Sequence, residues 1–216
     1  MFPLEMIRGS DDMRSDSPVD GTEFDAPAVT DGRRLRYERN RQRIIEAMKE
    51  LVRGGDMSPS AEAVADRAGV GMRSVFRHFE DMESLYRQMR VAIMRDIHPL
   101  IEEPFSSPDW RAQLDELVDR KIQLFEEGMM YYMAGKIHMH NSTVARADHE
   151  KSVAVERKAL RKVLPDSLRK DRDRFEALDL ALSFDSWVRL RQEQGLSIRR
   201  SKEVLQRLIE PLLADA

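Results

Sequence analysis

Met72, Arg73, Ser74, Arg77 and His78 fall within seven consecutive residues, interleaved with the apolar Val75, Phe76 and Phe79. Basic, hydroxyl and imidazole groups on the free face of a short helix suit duplex reading. A guanidinium can pair with guanine, a hydroxyl can bond several base edges, and His or Arg can hold phosphate. Such a helix needs a platform, and the residues before it supply one. Val64, Ala65 and Ala68 share a helical face, Gly69 ends that helix, and Val75, Phe76 and Phe79 form the inner face of the next. Ser58-Pro59-Ser60 offers a capping hydroxyl and a proline suited to a helix start. The stretch from 60 to 79 therefore predicts a helix-turn-helix.

The run Ala68-Gly69-Val70, then Phe76-Arg77-His78-Phe79, then Asp81-Met82-Glu83-Ser84-Leu85-Tyr86 resembles the DNA-binding domain of the tetracycline-repressor (TetR) family of transcription regulators. The likeness extends from about Arg33 to that last segment. It implies an all-α fold: a homeodomain-like helix-turn-helix DNA-binding domain over 32–80, then a helical ligand-binding and dimerisation domain over 81–216 with a linker helix at 82–98. By the same resemblance Arg73 and Ser74 are the base-contact candidates. Ser60, Gly71 and Met72 lie at the helix starts, and Phe76, Arg77 and His78 follow toward the backbone. His78 matches a phosphate-binding position, with a structural bond inside the domain as the alternative. Three residues depart from the family's pattern. Gly71 stands where Ser or Thr often caps, Phe76 replaces a tyrosine, and Met82 replaces a lysine that meets phosphate. Phe76 can touch a thymine methyl or pack on Val64, and the residues leave both roles open.

The net charge of −3 is unevenly spread. Residues 1–32 hold two Arg against eight acids, whereas residues 33–80 hold eleven Lys and Arg against seven acids. Positive charge thus gathers at the helix-turn-helix, where phosphate neutralisation requires it. Residues 1–31, rich in Asp, Ser, Pro and Gly without periodicity, predict a disordered acidic extension. Beyond it Arg33, Arg34 and Arg36 open a cluster, continued by Arg39, Arg41 and Arg43, that reads as an arm for the sugar-phosphate backbone or minor groove. Ile44, Ala47, Met48 and Leu51 give the accompanying helix its apolar face until Gly54 and Gly55.

Downstream the chain reads as helices throughout. Asp81 is a candidate cap for a fourth helix ending near His98-Pro99, and Pro99, Pro104 and Pro108 suggest a joint. A helix over 109–127, a bend at Gly128 and a Met- and Tyr-rich run to His140 follow. A polar helix over 143–163 and two long amphipaths, 171–194 and 198–213, complete the chain. The resemblance implies an effector pocket among the middle helices, with Phe125, Met129, Tyr132, Met133 and His138 as lining candidates. It also implies a dimer across the last two helices, with Leu178, Leu182, Trp187, Leu205, Leu208 and Leu212 as seam candidates. Amphipathicity alone leaves open whether those side chains face a second copy or the chain's own core.

The remaining chemistry is mostly excluded. The chain has no cysteine, so disulfides and thiol catalysis are out. It has no phosphate-cradling glycine loop, no His-Glu-x-x-His and no nucleophile elbow. His138 and His140, two apart on a helix, point roughly 160° apart and suit no shared metal. No apolar run approaches the roughly 20 residues of a membrane span. The expectation is a cytoplasmic, non-enzymatic, cofactor-free regulator with double-stranded operator DNA, a small-molecule effector and a second copy of itself as partners. The alternative is a helical binding or interaction protein whose DNA-reading head has degenerated.

Overall fold

The computed structural model describes residues 28–140 and 142–214, and among them there is no β-strand. The expected disorder of the acidic extension falls outside the described residues, except that helix α1 (Ala28–Arg53) takes in its last four positions. The exposed first half of α1 carries the arginine cluster. Its second half buries Ile44, Ile45, Ala47, Met48 and Val52. Gly55, at φ 102°, turns the chain out of α1.

Helix α2 (Ala61–Ala68) starts where the Ser60 hydroxyl accepts from the Ala63 N–H at 3.1 Å. It ends at Gly69, φ 62°, after which the Val70 N–H returns to the Ala65 carbonyl at 3.0 Å. Helix α3 (Met72–His78) begins from Gly71 without a side-chain cap. Helix α4 (Met82–Glu102) opens with the Asp81 carboxylate accepting from the Ser84 N–H at 2.7 Å. It continues past Pro99, four residues beyond the helix end read from the sequence. Proline withholds one backbone donor, but its fixed φ is itself helical, and here the helix does not stop.

Helix α5 (Trp110–Met139) starts from Asp109 as a 30-residue element with no break at Gly128. That glycine has a packing role: a Cβ there would stand 3.6 Å from the Phe184 ring. Helix α6 (Thr143–Val163) is capped by Ser142, and a short helix α7 (Asp166–Lys170), not anticipated, follows Pro165. The expected continuous amphipath over 171–194 is three pieces. Helix α8 (Arg172–Ala181) gives way at Leu182, where Ser183 bonds the Leu180 carbonyl through its hydroxyl at 2.8 Å and caps helix α9 (Phe184–Val188). A π-helical turn then spans Arg189–Glu193. Helix α10 (Ile198–Ile209), capped by Ser197, runs into a 3₁₀ turn.

Two apolar cores result. One joins α1, α2, α3 and the start of α4, and it also includes the fully buried Ala134 of α5, with Met130 and Tyr131 beside it. The other is built by α5, α6, α7, α8, α9 and α10 around Trp187, Phe175 and Leu178. Helix α5 therefore belongs to both, and it fastens the head to the body. Arg53 lies over the Tyr131 ring at 5.9 Å, and Tyr86 of α4 stacks on His138 at 4.4 Å.

Candidate nucleic-acid interface

Helix α3 is held by contacts to its inner side. Val75 (1% exposed) and Phe79 seat α3 against Val64, Ala65 and Ala68. The turn before it is fixed from α1: Arg43 donates through Nη2 to the Ala68 carbonyl at 2.6 Å, and a Cβ on Gly69 would come within 2.9 Å of that nitrogen. Arg43, expected to serve the backbone-binding arm, thus satisfies carbonyls at the C-terminus of α2 instead.

With α3 so fixed, Met72 (53% exposed), Arg73, Phe76 (48%) and Arg77 form its outer face, and Gly71 is open before it. Ser74 is half-buried, with its N–H given to the Gly71 carbonyl at 2.7 Å. The Ser60 hydroxyl serves α2 as its cap while the residue remains exposed. Arg33, Arg34 and Arg36 are exposed on α1, and the Arg36 Nε bonds the Gly32 carbonyl at 3.1 Å.

Two orientations differ from expectation. Phe76 is turned outward at 48% exposure, and His78 takes the inward position, 8% exposed, under the ring of Tyr37 at 4.2 Å. Burial and the neighbouring Arg77 and Arg41 guanidiniums push the His78 imidazole below its ordinary value. His78 is therefore not presented to a phosphate in this conformation. Tyr37 escaped notice because nothing local marks it; its role comes from a tertiary contact. Arg41, likewise, lies over the Phe79 ring at 5.1 Å.

The effector candidates are packed against neighbouring side chains. Phe125 and Met129, each 5% exposed, are core. The space beside them is filled by Phe184, whose ring stacks on Phe125 at 4.4 Å and on Tyr132 at 4.0 Å. Met133 packs on the same core, while His138 faces Tyr86 at the head junction. Burial and the nearby Asp185 carboxylate push the Tyr132 phenol well above its ordinary range. A cleft lined by Arg207, Glu210, Pro211 and Ala214 and another between α1 and α2 both lie away from these five.

The seam candidates also divide. Leu178, Leu182, Trp187 and Leu205 lie at 0–3% exposure inside the single chain, and Leu212 packs against that core. The Trp187 indole donates to Glu126 at 2.7 Å, and Arg191 Nε reaches the same carboxylate at 2.7 Å. Burial works against that carboxylate, yet the bonds from Arg191 and Trp187 hold it below its ordinary range. Leu178, Leu182, Trp187 and Leu205 are thus core of the single chain. Leu208, 54% exposed, is the seam candidate that faces outward, and Leu180, 68% exposed, joins it as a residue the sequence did not mark.

A capped helix-turn-helix head fused through shared helices to an all-helical body is the architecture that the TetR resemblance implies, and it is the architecture observed. Two solved structures share it. One is SCO7518 of Streptomyces coelicolor A3(2), described as a proposed transcriptional regulator, at 19% identity and a TM-score of 0.58, covering 79% of this chain and 98% of that one. The other is NalD, the secondary repressor of the MexAB-OprM multidrug efflux pump in Pseudomonas aeruginosa, at 21% identity and a TM-score of 0.50, covering 81% and 94%. No family model and no curated protein matches the sequence. At these identities the likeness establishes the fold.

Proposed function

We propose that this protein is a transcriptional regulator of TetR type that reads duplex DNA with α3. The observation that carries the reading is the outer face of α3. Arg73 and Arg77, with Met72 and Phe76, project from a helix whose inner face and preceding turn are fixed. Around it, residues 33–80 carry a surplus of four positive charges, suited to a phosphate-lined partner. Arg73 is the candidate for bidentate guanine contact, and Phe76, turned outward, suits a thymine methyl.

Regulation by a small effector belongs to the same proposal. Phe184 is stacked on Phe125 and Tyr132, so an effector at the candidate residues would bind by parting those rings. Displacement of α5 would then reach the head directly, because Ala134 sits in the head core and Lys49 of α1 is tied to Asp96 of α4 at 2.9 Å. A dimer through a surface that includes Leu180 and Leu208 would place two heads on a palindromic operator. Repression in the cytoplasm is the corresponding cellular role.

The rival is an interaction protein, favoured by the exposure of the two apolar residues Met72 and Phe76 on α3. A fluorescence titration against duplex pools at several salt concentrations separates the two. DNA reading requires a steep salt slope and selection of a motif; an interaction surface gives neither.

A further inference from the structure

Tyr37 stands on the exposed half of α1 with its ring tilted 45° over His78, the centroids 4.2 Å apart. Tyr37 is 42% exposed and His78 beneath it 8%, so the tyrosine is a roof. Under it, neither Nδ1 nor Nε2 of His78 has a hydrogen-bond partner or contact with solvent. A polar ring enclosed in this way loses its hydration and gains no bond in return. The charged groups facing it are the guanidiniums of Arg77 and Arg41, which oppose its protonation, and the carboxylate of Glu38, which favours it.

Arg33, Tyr37 and Arg41 recur every fourth residue, which puts them along one side of α1. That side meets the end of α3, since Tyr37 covers His78 and Arg41 covers Phe79. An anion drawn to the stripe therefore meets the tyrosine before it can reach the imidazole N–H.

We propose that Tyr37 is a latch on the reading head, a positioning residue that acts through His78. In the free protein the ring shuts the imidazole in. When a DNA phosphate docks beside Arg33 and Arg41, the ring swings aside and His78 gives its N–H to the phosphate oxygen. The ring thereby sets how readily any duplex backbone is engaged and leaves base choice to α3. This inference rests on the DNA-reading proposal above.

The latch and that proposal fail separately. In the free protein, the His78 imidazole followed by NMR titration, assigned with His78→Gln, must titrate below its ordinary value near 6.5 and move back toward it in Tyr37→Ala. No DNA enters that measurement, and an unchanged His78 titration overturns the latch. With mixed-sequence duplex, Tyr37→Ala must bind about threefold to tenfold more tightly, the population penalty that one aromatic contact can impose. Tyr37→Phe keeps the ring and must bind like the parent. If Tyr37→Phe weakens binding as much as Tyr37→Ala does, the hydroxyl is a direct contact and the latch is wrong. Should Tyr37→Ala not fold, the parent protein decides. Added duplex must raise the His78 titration midpoint and shift the Tyr37 ring resonances, and a duplex that binds while leaving both unmoved overturns the latch. If no variant binds any duplex while the free-protein titration behaves as stated, it is the DNA-reading proposal that falls.

Discussion

Arg43 and Gly69 are coupled across the head: the guanidinium that binds the Ala68 carbonyl at 2.6 Å occupies the space a side chain at position 69 would need. A left-handed glycine and an arginine from another helix together fix the angle at which α3 leaves the turn. Neither can change without disturbing the other.

Arg43→Ala should therefore lower head stability by about 1 kcal/mol, the net worth of a typical hydrogen bond. Gly69→Ala should cost about 1 kcal/mol or more, because φ 62° disfavours a Cβ. Denaturant unfolding of both single variants and the double variant checks the coupling. The double variant should lose less than the two losses added, as contacting residues do, and strict additivity would show that the two act independently.

Stability should fall as pH drops below the ordinary histidine range. His78 and His149 are both held below their usual value near 6.5, burial being the first cause at each. Between the unfolded and folded midpoints the unfolded chain binds protons that the folded chain refuses, so their contribution is complete above pH 6.5 and is lost as pH falls toward the folded midpoints. Urea unfolding at pH 7.5 and pH 5.5 measures the loss, and His78→Gln should reduce it. Equal pH sensitivity in that variant would remove His78 from the account.

Leu178→Ala and Leu208→Asp should behave differently. Leu178 is fully buried, and truncating it should cost roughly 2–5 kcal/mol at any protein concentration. Leu208 is 54% exposed, so its aspartate should leave monomer unfolding nearly unchanged and shift self-association in sedimentation experiments. Loss of monomer stability in Leu208→Asp, with association intact, would remove it from the proposed seam.

The head was legible because its signals are local. Ser60, Gly69 and Asp81 are caps that act on neighbours a few residues away, and all three occupy cap positions in the structure. The facing of α3 was harder to read. In a seven-residue helix, Phe76 and His78 both lie near the boundary of the buried arc, and the ring that covers His78 comes from Tyr37, a distant residue. In the body the apolar pattern names no partner. Leu178, Leu182 and Trp187 form an amphipathic stripe whether they meet a second copy or Phe175 and Leu168 of the same chain. The break at Ser183 depends on one hydroxyl cap, which a hydrophobic period cannot register.

Substitutions in the two basic regions should affect DNA binding differently. Arg73→Ala should relax discrimination among duplexes by about 1–3 kcal/mol at one base position. Arg33→Ala or Arg34→Ala should weaken all duplexes alike and flatten the salt slope by about one unit. Competition titrations with selected and scrambled duplexes distinguish these outcomes, and a uniform loss in Arg73→Ala would take base reading away from it.

Selection of duplexes from a randomised pool by the purified full chain, at low ionic strength and without effector, bears most directly on the central claim. The expected result is an enriched motif whose binding weakens steeply with salt and whose preference is altered by Arg73→Ala. Retention of no duplex from the pool by a protein that melts cooperatively would contradict it.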